Sequence, residues 1–397
     1  MRICFYCDSI FSFGGVQRVL AVIAKALASN HEITILTHDS PALEDLTMYE
    51  LNESVIEFQY INYPPLPRKE YLPCKTYSYL YKKLLPHTAL TSRWYGRSSF
   101  PSSQRKQLIT QLNEGKYDVV VGVHAFLSLR LATIREQLNA RLTVGWMHNS
   151  FQAFFENRPA YLGGLKSHFT HQMKRLDKVI VLTHTDQRLY GEQLNLSPTV
   201  VYNPLTLNAH ERCRPEAKKF LAVGRFSSRH KGFDILIEGF ALFARENADW
   251  TLDIVGEGPE EGMIRRLIGK HGLQQRVQIH PFTKQIQTYY AASSVYVLSS
   301  RWEGFGLVLL EAMAHGLPII SSDIPTSTEL LGKTNFCSFF ANEDSLSLSQ
   351  QMLAISRQPA SVLAAWGDEA MRETEHYSID NILCEWEKLL LPKIPKQ

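Results

Sequence analysis

The chain has 397 residues, too many for one ordinary hydrophobic core, so two domains are expected. With 45% hydrophobic and 20% charged residues it has the composition of a globular protein and no bias toward disorder. A formal charge of +3 and a pI near 8.4 form too weak a basic field to point to a nucleic-acid partner.

The chain opens Met1-Arg2 and enters an apolar run that Asp8 interrupts before a secretory segment could form, so no signal peptide is expected. No apolar run approaches the roughly 20 residues that span a bilayer, so any membrane contact is expected to be peripheral. The first strand is predicted at Arg2 to Cys7. A loop with Gly14-Gly15 follows it, then a helix over Val16 to Ala28 with Val19, Leu20, Ile23 and Leu27 at helical spacing. Further strands are expected at Glu32 to Thr37, Tyr117 to Val123, Leu142 to Met147, Lys178 to Leu182 and Thr199 to Tyr202.

Between Pro67 and Lys106 lie nine bases, against the single acid Glu70, interleaved with Tyr71, Tyr77, Tyr79, Tyr81, Trp94 and Tyr95. Cations among amphipathic aromatics suit an anionic membrane surface, and a solvated basic flank accounts for them equally well. The six cysteines, Cys4, Cys7, Cys74, Cys213, Cys337 and Cys384, are scattered, so free thiols and a reducing, cytoplasmic setting are expected. Cys4 and Cys7 have CxxC spacing but no second pair, which argues against zinc.

A proline-terminated polar stretch from Tyr202-Asn203-Pro204 to Pro215 marks a hinge. Beyond it, strands are predicted at Lys219 to Val223, Thr251 to Val255, Val277 to His280, Val295 to Leu298 and Pro318 to Ser321. Helices near Asp234 to Glu246, Glu261 to His271 and Gly306 to His315 alternate with them. Repeated strand–helix units build parallel sheets, and ligands of such sheets sit at the carboxyl ends of the strands. The expected domains are 1–203, 204–375 and a C-terminal helix in 376–397 packing back on the first.

Three strand ends carry chemistry. After Val295 to Leu298 comes Glu303-Gly304-Phe305-Gly306-Leu307, leading into a helix with Glu311. The glycines allow close backbone approach, the free amides at the helix start suit a diphosphate, and the carboxylates can accept from sugar or ribose hydroxyls. After Lys219 to Val223 comes Gly224-Arg225-Phe226, with Lys231-Gly232 six residues on. Two cations there can neutralise a diphosphate, while Arg229 and His230 are read as bystanders. In the first half, Gly15 opens a helix and His148 follows a strand in Trp146-Met147-His148-Asn149; His124, after another strand, competes with it. The turn Gly256-Glu257-Gly258-Pro259 is read as structural, with possible nucleotide contact.

The segment Glu303 to Pro318 resembles the E-x7-E motif of retaining glycosyltransferases of family four. The resemblance is loose between about Glu50 and Asn113, and the chain lacks a Gly-Gly pair before Glu329 that the family often has. It implies an α/β, GT-B fold: an N-terminal acceptor-side and a C-terminal donor-binding Rossmann-like domain facing across a cleft. By the same resemblance His148, Arg225, Lys231 and Glu303 would be catalytic, and Gly15, Gly304, Phe305, Gly306, Leu307 and Glu311 would bind the donor. It also implies retention of configuration and transfer of a hexose or N-acetylhexosamine from a nucleotide sugar, UDP-linked by preference. The acceptor would be a glycan or lipid-linked oligosaccharide in polysaccharide or lipopolysaccharide synthesis. No D-x-D triplet occurs, so no metal and no cofactor are expected. A nucleotide-sugar epimerase, a phosphorylase on the same fold and a catalytically silent donor-binding partner are the competing readings, because fold and motif do not by themselves establish turnover.

Overall fold

The computed structural model describes residues 1–391 apart from positions 64, 158, 159, 208 and 210. Part of the hinge stretch and the last six positions of the 376–397 segment therefore lie outside the described residues. The chain divides into two compact units, Met1–Pro204 joined by the segment from Ile379, and Leu205–Ser378.

In the N-terminal unit the strands are β1 (Arg2–Cys7), β2 (Glu32–Thr37), β3 (Ile56–Tyr60), β4 (Val119–Val123), β5 (Leu142–Trp146), β6 (Lys178–Val181) and β7 (Thr199–Val200). They form one sheet in the order β3-β2-β1-β4-β5-β6-β7, parallel throughout. The second unit holds β8 (Lys219–Val223), β9 (Thr251–Val255), β10 (Val277–His280), β11 (Val295–Leu298), β12 (Ile319–Ser322) and β13 (Cys337–Phe340), in the parallel order β10-β9-β8-β11-β12-β13. Strand order reverses at β1/β4 in one sheet and at β8/β11 in the other, and such switch points open crevices at the carboxyl ends of the strands.

Two strands were not expected from the sequence, β3 and β13, and both are edges. A central parallel strand is covered on both faces and reads as a continuous apolar run, as in Val119–Val123, all of it buried. β3 buries Ile56 but leaves the rest of Ile56–Tyr60 partly or fully exposed. The segment after β3, read only as basic and aromatic, forms two helices, Arg68–Lys83 and Ala89–Ser99. The six cysteines are free thiols.

The C-terminal helix Ile379–Leu390 packs on the N-terminal sheet. Trp386 is 1% exposed and meets Trp146 edge-on at 4.8 Å and Phe5 at 6.0 Å. Glu387 pairs with His31 at 3.0 Å, and the Lys178 ammonium donates to the Leu389 carbonyl. Trp386→Ala should cost the N-terminal unit about 3–5 kcal/mol, because a buried ring of that size leaves a cavity the sheet cannot fill. Urea unfolding of the variant measures it; a loss below about 1 kcal/mol would mean that the helix is not part of that unit's cooperative core.

Candidate active site

Two loops at the β8/β11 switch point are stitched together before any ligand is considered. The first follows β8 and ends at Gly232, whose φ of +63° caps the helix Phe233–Glu246. A Cβ there would sit 2.0 Å from the Ser299 carbonyl oxygen, so only glycine lets this loop approach the next one. The second follows β11. Its Ser299 hydroxyl donates to the Lys231 carbonyl at 2.8 Å, and the Arg301 amide donates to the His230 carbonyl at 2.8 Å. Arg301 also grips Asp234 with two nitrogens at 3.0 and 2.8 Å, a forked geometry that fixes both loops to one helix start.

These braces bring Lys231 and Glu303 together. Glu303 is 7% exposed, and its Oε1 accepts from Lys231 Nζ and from the Ser300 hydroxyl, each at 2.6 Å. His230 Nε2 lies 3.7 Å from Oε2, its ring stacked on Trp302 at 4.9 Å and 16°. Burial pushes the Glu303 carboxyl upward, but the charges of Lys231 and His230 and the two hydrogen bonds outweigh it and hold the group below its usual range. Glu303 is thus ionised at neutral pH in a dry environment. His230 is lowered, chiefly by burial, against the pull of Glu303.

Past Glu303 the chain turns through Gly306, at φ +80°, into the helix Leu307–Ala314. Glu311 is 2% exposed and accepts from the Tyr290 hydroxyl at 2.8 Å; the Tyr290 ring stacks on His315 at 5.0 Å. Burial raises the Tyr296 hydroxyl well above its ordinary range, and the charges of Glu311 and Glu303 add to this, so Tyr296 lies in the field of both carboxylates.

Among the residues singled out in the sequence, Lys231 and Glu303 share an ion pair, and Gly304, Phe305, Gly306 and Leu307 link Glu303 to the helix that carries Glu311. Phe305 has a buried side chain set edge-on to Tyr377 at 6.2 Å, so it can reach a ligand only through its backbone. Arg225 is exposed, and its side chain makes no hydrogen bond or ion pair among the described residues; only its carbonyl is engaged, by the Ser227 amide at 2.7 Å. The Arg229 side chain lies outside what is described. The Gly256–Gly258 turn braces the first loop, the Phe226 amide donating to the Glu257 carbonyl at 2.8 Å.

Gly15 and His148 belong to the other unit. Gly15 is exposed and opens the helix Gly15–Leu27, while His148 is buried with its ring 4.2 Å from Trp146. His148 Nε2 has no hydrogen-bond partner among the described residues, and burial holds the imidazole well below its ordinary value, hence neutral at pH 7. Sequence reading missed Ser300, Tyr290 and Tyr296 and set His230 aside. Ser300, three residues before Glu303, is the one that local spacing could have suggested. Among the described residues no group of three or more His, Cys, Asp or Glu is arranged to hold a metal ion, and no helix is long and apolar enough to cross a membrane.

The fold is that of the GT-B enzymes. It matches the crystal structure of Anabaena HepE in complex with UDP and glucose with a TM-score of 0.75 at 16% identity, over 98% of this chain and 99% of that one. Sequence models of two glycosyltransferase families match in succession, "Glycosyltransferase Family 4" over residues 13–208 and "Glycosyl transferases group 1" over 217–358. The chain belongs to this glycosyltransferase family and is a glycosyl-transferring enzyme. It is 26% identical to an uncharacterized glycosyltransferase of Haemophilus influenzae, over 98% of this chain and 99% of the relative. It is 24% identical to the amylovoran biosynthesis glycosyltransferase AmsD of Erwinia amylovora, over 96% and 97%.

Proposed function

We propose that this enzyme is a retaining transferase that moves a hexose or N-acetylhexosamine from a UDP-sugar onto a glycan, a lipid-linked oligosaccharide of surface polysaccharide or lipopolysaccharide assembly. The observation that carries the reading is Glu303, a buried carboxylate kept ionised by Lys231 directly before a free helix start. Such a group accepts hydrogen bonds from sugar hydroxyls, while the amides after Gly306 suit the diphosphate. The UDP named in the HepE complex and the polysaccharide named for AmsD support donor and pathway class.

In this reading Glu311 binds the ribose, and Lys231 with Arg225 stabilises the charge that builds on the departing diphosphate. His148, a neutral imidazole, is assigned to the donor sugar. No metal enters, because cationic side chains and helix amides supply the charge; transfer should persist in excess chelator. A thermal-shift screen of UDP, GDP and ADP sugars tests the donor, and NMR of the product's anomeric signal tests retention. Stabilisation by no nucleotide sugar sinks the donor reading; an inverted anomer sinks retention.

We also assign the helices Arg68–Lys83 and Ala89–Ser99 to an anionic membrane surface on the cytoplasmic side. Leu72, Tyr79, Leu90 and Trp94 are 62, 63, 63 and 55% exposed among the bases of this segment, a pairing of apolar and cationic groups that suits headgroups. Sedimentation with phosphatidylglycerol vesicles should fall at least tenfold in a Lys75/Lys82/Lys83→Glu variant. Equal sedimentation with neutral vesicles would overturn the assignment.

A further inference from the structure

The N-terminal unit holds a cavity of about 460 Å³ at the carboxyl ends of β1 and β4, its own switch point. Arg130 lines it, from the helix Ala125–Ile134. One guanidinium nitrogen, Nη1, is spent on the Tyr6 hydroxyl at 3.3 Å and on His38 Nε2 at 3.2 Å. The guanidinium carbon lies 5.6 Å from the centre of the Tyr63 ring and 5.4 Å from that of Phe100. Arg130 forms no ion pair with a carboxylate among the described residues, and its other donors, Nε and Nη2, have no partner among them. A planar cation gripped along one edge and flanked by aromatic rings is pre-organised to present its remaining edge.

His124 adds a second donor to the same cavity. Its backbone is held at φ +78°, a costly conformation for a residue with a Cβ, and such strain persists where the surroundings over-determine it. The Asn149 amide donates to its Nε2 at 3.2 Å, which leaves the ring proton on Nδ1 and makes that nitrogen a donor. Among the described residues Asp8 is the one acid lining the cavity; it is exposed, and its charge reaches Tyr6, His38 and His124, so a bound anion must gain more from the guanidinium than it loses to this carboxylate.

We infer that this cavity binds an anionic group of the acceptor, a carboxylate or a phosphate, and that Arg130 decides between acidic and neutral acceptors. The inference deepens the transferase reading, in which the N-terminal unit takes the acceptor. Its chemistry, a forked cation plus one neutral N–H, fits a uronate carboxylate or a phosphate ester equally.

The test titrates the full chain with inorganic phosphate, D-glucuronate and D-glucose, following the arginine side-chain Nε–H signals by NMR. Phosphate or glucuronate should shift the Arg130 signal, and glucose should not. Phosphate alone would point to a phosphorylated or lipid-phosphate acceptor, glucuronate alone to an acidic sugar, and both together to an anion site open to either. Affinity for the binding anion should fall at least tenfold in Arg130→Gln and about threefold in Arg130→Lys, which keeps the charge but loses the fork. Binding of glucose as tight as glucuronate, no anion binding at all, or unchanged affinity in the folded Arg130→Lys protein would overturn the inference. The UDP-induced thermal shift is read on the same samples. If it is present without anion binding, only the cavity's role falls; if it is absent while anions bind, the donor reading falls and the anion site stands.

Discussion

Replacing Lys231 by methionine should abolish most transfer, lowering kcat/KM on the order of 10³-fold, and should reverse the pH dependence of the C-terminal unit's stability. The activity loss follows from removing a fixed cation at a site where charge develops, in surroundings that exclude water. The stability effect follows from the pairing. Glu303 in the native protein titrates below its ordinary value of 4.5. The folded state thus binds its proton less readily than the unfolded chain, so the pair's contribution is fully present above that value and is lost as pH falls through the native pKa. Without Lys231 the burial that now opposes ionisation prevails, and the Glu303 pKa rises above 4.5. The variant should then be about 3–5 kcal/mol less stable at neutral pH, the usual cost of leaving one member of a buried pair behind, and should recover part of that on acidification toward pH 5. Lys231→Met/Glu303→Gln should regain most of the stability at pH 7 and none of the activity. Urea unfolding from pH 7 to pH 5 decides the matter: a variant that regains no stability on acidification would show that Lys231 does not hold Glu303 ionised.

Why this pair was visible in the sequence while its surroundings were not is a question of range. Glu303 and Glu311 stand out because a tight glycine turn and a helix start impose a short, fixed spacing on them. Lys231 stands out because it follows a strand end at a similarly short distance. Ser300 lies within the same short range, three residues before Glu303, but Tyr290 reaches Glu311 from 21 residues upstream, and Arg301 and Asp234 meet across 67 residues of chain. No periodicity records such contacts. Arg225 shows the converse case: residue type and position were legible, yet the side chain stays exposed while Lys231 takes the carboxylate.

The strands follow the same division. Central parallel strands such as β1 and β4 are buried on both faces and appear as apolar runs, whereas the edge strands β3 and β13 carry one-sided or partial burial that alternation alone does not mark. Arg130 belongs to the illegible part. Its position within a helix is ordinary, and its meaning depends on Tyr6, His38, Tyr63 and Phe100 arriving from four other places in the chain.

Glu311→Ala should weaken UDP and the UDP-sugar alike, by on the order of 10²-fold, because hydrogen bonds to a charged group contribute about 1.5–3 kcal/mol and the ribose is common to both ligands. At a concentration 100 times the wild-type Kd, ligand binding stabilises the wild type by about 2.7 kcal/mol; a hundredfold weaker variant at that concentration retains only about 0.4 kcal/mol. The thermal shift should therefore nearly vanish. Tyr290→Phe removes the hydroxyl that donates to Glu311 at 2.8 Å but leaves the carboxylate, so it should weaken binding less than tenfold. Glu303→Gln supplies the contrast. If that carboxylate meets the sugar and not the nucleotide, the variant should bind UDP within about threefold of wild type while losing the sugar's share of affinity and nearly all transfer. Affinity for UDP measured on Glu303→Gln and Glu311→Ala side by side separates the two roles. Equal losses in both variants would mean that the carboxylates support the loop as a unit, and the division of labour between sugar and ribose would have to be abandoned.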